Sequence, residues 1–130
     1  MDKNKTNISK IETYLHGIFD GVVSEHTYVG TLPDTIQSAW NDMCLIEIAN
    51  GISDMDAYGR GSVLVWLYAR PLTNGSKNVP LLSQLEQRLL KAVDEAKSDT
   101  YQISRRSMYQ DYDTTRNWHC NIVTLNLSIY

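Results

Sequence analysis

The chain is expected to fold as one α+β domain: a single antiparallel β-sheet with two α-helices packed on one face, in the order α-β-β-α-β-β. Three observations predict this. Two segments carry apolar residues at helical spacing, Ile8–Phe19 and Pro80–Lys97. Four segments have the β-branched and aromatic content of strands, and they fall in two pairs, one before and one after the second helix. The length of 130 residues suits one core rather than two. With 42% hydrophobic and 21% charged residues, the chain has enough apolar surface to avoid disorder and needs no metal or disulfide staple.

In the first helix Ile8, Ile11, Leu15, Ile18 and Phe19 share one face, and Lys10, Thr13 and Gly17 lie opposite. Thr6, Asn7 or Ser9 can cap it. Ser9 with Glu12 fits a capping box, and Gly21 suits the stop. The polar start, Met1 to Lys10, has no apolar stretch of the kind a secretory leader carries, and its first seven residues are expected to be flexible. From Val22 to Trp40 the sequence is irregular, with strand-like Thr27–Val29 and a turn at Leu32-Pro33-Asp34. That region leaves the register of the first hairpin open.

Met43–Ile48 is mostly apolar and suits a strand, and a polar loop is expected over Asn50–Gly61, with Gly59-Arg60-Gly61 as a flexible turn. Ser62–Ala69 is the most strand-like segment, apolar on both faces. One face belongs on the helices, so the other needs a second cover. After a loop at Pro71–Asn78, Pro80 is placed at the first helical position, and Leu82, Leu85, Leu89, Ala92, Val93 and Ala96 form the second apolar stripe. Ser98-Asp99 is expected to end that helix. A second hairpin closes the chain, Tyr101–Tyr109 and Asn117–Ile129, joined around Asp111, Asp113 and Thr114-Thr115. On the sheet face away from the helices Trp66, Tyr68, Trp118 and Ile122 are positioned to cluster, and such a patch usually marks an interface.

The residues point to no catalytic centre and no cofactor. His16, His26 and His119 lack metal-ligand spacing, and neighbours His119 and Cys120 point to opposite faces of a strand. Asp54 with Asp56, and Asp111 with Asp113, are pairs that in principle hold Mg²⁺, but they sit where turns favour Asp for local backbone hydrogen bonds. Cys44 and Cys120 lie in apolar runs and are expected to be reduced core residues. The charge of −3 argues against a protein that coats phosphate backbones. Arg105-Arg106, with Arg60 and Arg70, is the strongest basic feature, better suited to a salt bridge or subunit contact than to nucleic-acid reading. No segment approaches the ~20 apolar residues of a membrane helix, so synthesis and folding in cytoplasm are expected.

From Ile8 to Tyr130 this order of elements resembles the tail-completion proteins of tailed bacteriophages, also called tail-terminator or head–tail joining proteins. It is carried by the starting helix, the strands Met43–Ile48 and Ser62–Ala69, the latter followed by Arg70-Pro71, the helix Pro80–Lys97 and the closing hairpin. Two phrases also look familiar from phage and prophage proteins of gut bacteria, Asp56–Gly61 and Tyr112-Asp113-Thr114. The resemblance implies a virion component made in the host cytoplasm: a ring, commonly of six subunits, that stops the tail tube and meets the capsid connector. DNA would pass through its bore without being read, and no catalytic residue is carried over. The expected subunit interface comprises Asp54, Asp56, Arg60, Trp66, Tyr68, Arg116 and Trp118. Two other functions remain compatible with the residues: a protein-binding module using the apolar sheet face, and a metal-dependent enzyme using the loop aspartates.

Overall fold

A computed structural model describes residues 7–54 and 58–130, apart from the side chains of Asn50 and Asp54. The expected contribution of Asp56, and the start of the chain through Thr6, lie outside the described residues. The elements run α1 (Ile8–Phe19), β1 (Thr27–Val29), β2 (Asp42–Asp54), β3 (Gly59–Ala69), α2 (Val79–Glu95), β4 (Tyr101–Asp113) and β5 (Trp118–Ile129). The strands form one five-stranded sheet in the order β1-β2-β3-β5-β4.

The α+β class holds, but the sheet is mixed rather than purely antiparallel. β1 pairs parallel to β2, with Thr27, Tyr28 and Val29 opposite Cys44, Leu45 and Ile46, while the other pairs are antiparallel. The order is therefore α-β-β-β-α-β-β. The reason lies in the irregular region. A parallel pair cannot be joined by a tight turn, so the chain must cross back over a face of the sheet. Residues 30–41 make that crossing, and they do so on the face opposite the helices, where Leu32, Ile36 and Trp40 pack.

Local chemistry explains the helix ends. Asn7, not Ser9, caps α1: its Oδ1 accepts the Lys10 amide at 3.3 Å, and Ser9 lies inside the first turn. Gly21, with φ of +75°, takes the left-handed conformation expected just beyond the helix. Asn78 caps α2 through the Leu81 amide at 3.2 Å, placing Pro80 one position later than expected and still within the turn that has no amide to lose. The helix ends at Glu95, before the expected stop.

The strands are longer than their apolar runs. The loop expected over Asn50–Gly61 is largely ladder: Ile52, Ser53 and Asp54 pair with Gly61, Arg60 and Gly59 beyond a bulge after Ala49. Gly51, with φ of +83°, provides the bulge. A Cβ on Gly61 would lie 2.5 Å from Ile52 Cδ1, so a glycine there leaves room for the Ile52 side chain. Gly59-Arg60-Gly61 is thus not a free turn. Its backbone is paired on both sides, to β2 and to Ile129, Ser128 and Leu127 of β5. β4 likewise continues to Asp113, four residues past its expected end.

Two apolar layers flank this sheet. On one face α1 and α2 set Ile11, Leu15, Phe19, Leu82, Leu85, Leu89 and Val93 against Cys44, Ile46, Val63, Val65, Leu67, Val123, Leu125 and Leu127, all buried. On the other, Met43, Leu45, Tyr68, Trp118, Cys120 and Ile122 are buried with Leu32. Leu89 is fully buried in the first layer, so Leu89→Ala should cost about 2–5 kcal/mol in a denaturant titration. A loss below about 0.5 kcal/mol would contradict the packing of α2 described here.

Candidate functional site

The residues expected to form one interface occupy two ends of the sheet. Arg60 is exposed on β3 opposite Ser53 and Ser128, next to the paired backbone of Asp54. Arg116 and Trp118 stand at the far end of β5. Trp118 and Ser128 are ten positions apart on this strand, roughly 30 Å at the usual rise. Trp66 lies between them, half-buried, with Leu45 and Ile122 as its cross-strand neighbours.

Tyr68 and Trp118 are 6% and 4% exposed. The chain itself covers them, and Arg70 at the end of β3 holds the cover in place. Its Nε donates to Trp40 O at 2.8 Å and its Nη2 to Gln37 O at 3.1 Å, while the guanidinium lies 4.7 Å from the Trp118 ring centroid. Trp40 in turn stacks on His26 at 4.1 Å and meets Tyr28. Burial also raises the Tyr68 hydroxyl well above its ordinary pKa, with the Cys120 thiol and Asp113 adding to the shift, so it stays neutral. Of the apolar patch, the half-buried Leu64 and Trp66 remain partly accessible, with Tyr109 of β4 half-exposed opposite Ile122.

Arg116 is engaged within its own turn. It pairs with Asp113 at 3.0 Å, and Asp113 Oδ1 also accepts the amides of Thr115 and Arg116 at 2.9 and 3.1 Å. Asn117 completes the turn in the left-handed region, with φ of 58°. Asp113 thus builds the hairpin tip, and Asp111 accepts the neighbouring Tyr112 amide at 2.8 Å.

Ser24, His26 and Asp42 come together in a depression beside α2, yet they do not form a nucleophile–base pair. Ser24 Oγ donates directly to Asp42 Oδ1 at 2.5 Å and accepts the His26 backbone amide at 3.0 Å, while the His26 ring is turned onto Trp40. Their role is to shape the approach to β1, with Thr27 Oγ1 donating to Ser24 O. Among the described residues no three His, Cys, Asp or Glu side chains gather as a metal site. Cys44 and Cys120 lie in opposite apolar layers, so the sheet separates them. Burial pushes the Cys44 thiol far above its usual pKa and the Cys120 thiol up to about 12, with Asp42 and Asp20 reinforcing the first and Asp111 and Asp113 the second.

Two features went unmarked by local sequence pattern. β4 is an edge strand of 13 residues, paired only to β5 and half-buried only at Tyr101, Ile103, Met108 and Asp113. Among the described residues no strand pairs with its outer edge. On opposite faces of β4, beside a bulge between Arg105 and Ser107, Arg105 lines a depression by the end of α2 and Arg106 one shared with Arg60. The chain matches no protein-family model and no curated protein.

Two expectations follow. Arg70→Ala should lower stability by about 1–3 kcal/mol, because its charged hydrogen bonds and ring contact are lost together, and should raise acrylamide quenching of Trp118 in a variant lacking the other tryptophans. Unchanged stability and quenching would show that Arg70 does not hold the cover. Native protein at pH 7.5 should take up no maleimide over minutes and react at both cysteines in guanidinium; a readily labelled native thiol would contradict the burial of both.

Proposed function

We propose that this protein is a non-catalytic structural component that assembles with copies of itself, as a ring of the tail-terminator or head–tail joining type in a phage virion. The open edge of β4 carries this reading. Among the described residues no strand pairs with the outer side of β4 over Gln102–Asp113, and its alternate outward backbone groups, mostly solvent-exposed on both faces, offer a template for main-chain pairing with another strand. At the opposite edge, β1 covers only Cys44–Ile46 of β2, and no described strand pairs with the outer side of β2 beyond it. A contact between β4 of one copy and a different surface of the next is heterologous, and it closes into a ring when the rotation per subunit allows. The order of helices and long strands supports the resemblance, with β1 added to it.

A second reading, a monomeric module that binds another protein through its sheet face, draws support from the strip Leu64, Trp66 and Tyr109. That strip is smaller than the apolar run in the sequence suggests, because residues 30–41 cover the rest.

Native mass spectrometry over a range of protein concentrations, with electron microscopy of the largest species, separates the two. The assembly reading predicts a closed oligomer, and predicts that Tyr109→Lys with Gln110→Lys leaves the subunit folded and monomeric, since charges on an edge block strand pairing. An oligomer indifferent to that double substitution, or a chain that stays monomeric at every concentration, contradicts it.

A further inference from the structure

We propose that the depression between Arg60 and Arg106 binds a phosphate group. It lies on the sheet face away from the helices, beyond the reach of the residue 30–41 cover, and has a volume of about 560 Å³. Arg60 of β3 and Arg106 beside the β4 bulge line it with Ser53, Ser62, Ser104, Asn126 and Ser128. Among the described side chains that line it there is no carboxylate, and neither arginine forms an ion pair with a described residue.

That composition is unusual for this chain. The molecule carries a net charge of −3, yet two cations line this one depression with no described counter-charge beside them, which favours an anion there. The donors point to which anion. Each guanidinium presents a planar fork suited to two oxygens, and the serine hydroxyls add single donors around it. A carboxylate has only two oxygens and would leave many of these donors unused. A tetrahedral phosphate offers an oxygen in several directions and the greater charge. Gly51 and Gly61 also line the depression. Both arginines are exposed, so binding should be weak and salt-sensitive.

The register places both arginines on this face: Arg60 pairs with Ser128, whose other neighbour is Gln102, and Arg106 follows two residues after Ser104, which pairs with Asn126. The two are distant in sequence and line one depression because β5 lies between their strands.

The test is a titration of the full chain with inorganic phosphate, followed by amide resonances in NMR, with sodium acetate and sodium chloride at matched ionic strength as controls. Phosphate should shift Ser62, Ser104, Arg106 and Asn126 together, while acetate and chloride leave them in place. Arg60→Gln with Arg106→Gln should weaken that response about tenfold or more, with the rest of the spectrum unchanged. A second arm replaces phosphate with a short single-stranded oligonucleotide. Shifts at the same residues at lower ligand concentration identify a nucleic-acid backbone as the source, and a response to phosphate alone identifies a small phosphate-bearing molecule. Three results overturn the proposal: no shift with phosphate, equal shifts with acetate, or shifts that persist undiminished in the double variant.

Discussion

A sheet that is apolar on both faces must be covered twice, and the rest of this fold follows from that requirement. β3 places Val63, Val65 and Leu67 on one side and Leu64, Trp66 and Tyr68 on the other. Two helices cover the first side. The second is closed by chain of no regular structure, which works only because specific contacts hold it: Leu32 inserts as an anchor, Trp40 stacks on His26, and Arg70 grips two carbonyls while lying over Trp118. Loops are poor covers when their polar backbone goes unpaired. Arg70 answers that problem directly, satisfying Gln37 and Trp40 carbonyls with a side chain that also completes the apolar layer.

The same arrangement determines which surfaces are left for function. Tyr68 and Trp118 are committed to the interior of the subunit, and the hairpin tip uses Arg116 and Asp113 to fix its own turn. What stays open is a backbone edge along β4, a short apolar strip at Leu64 and Trp66, and the arginine–serine depression at the other end of the sheet. The polar triplet nearest to hydrolytic chemistry, Ser24, His26 and Asp42, is bonded in an order that builds a turn.

Much of the fold was legible because it depends on local periodicity. The stripes of α1 and α2, the cores of four strands and the clustering of Trp66, Tyr68, Trp118 and Ile122 all follow from the spacing of apolar residues. The parts that were not legible depend on partners far away in sequence. Gly59-Arg60-Gly61 has the composition of a turn, yet it is strand because β2 and β5 pair with it from both sides, and such pairing overrides intrinsic preference. β1 is too short to stand out, and the covering role of Leu32, Ile36 and Trp40 appears only when the parallel pairing forces the chain across the sheet. Their spacing of four residues was the available signal, masked by Pro33 and Asp34 between them. The meeting of Arg60 and Arg106 required the strand order itself.

In the assembly proposed above, the subunit closes its own second face and uses the β4 edge for association. Hydrogen exchange, followed residue by residue at low and high protein concentration, tests it most directly. The account predicts slow exchange around Met43, Tyr68 and Trp118 at every concentration, with alternate amides of Tyr101–Asp113 gaining protection as concentration rises. Protection that instead develops over residues 30–41 and Leu64–Trp66, while β4 amides continue to exchange freely, would contradict it.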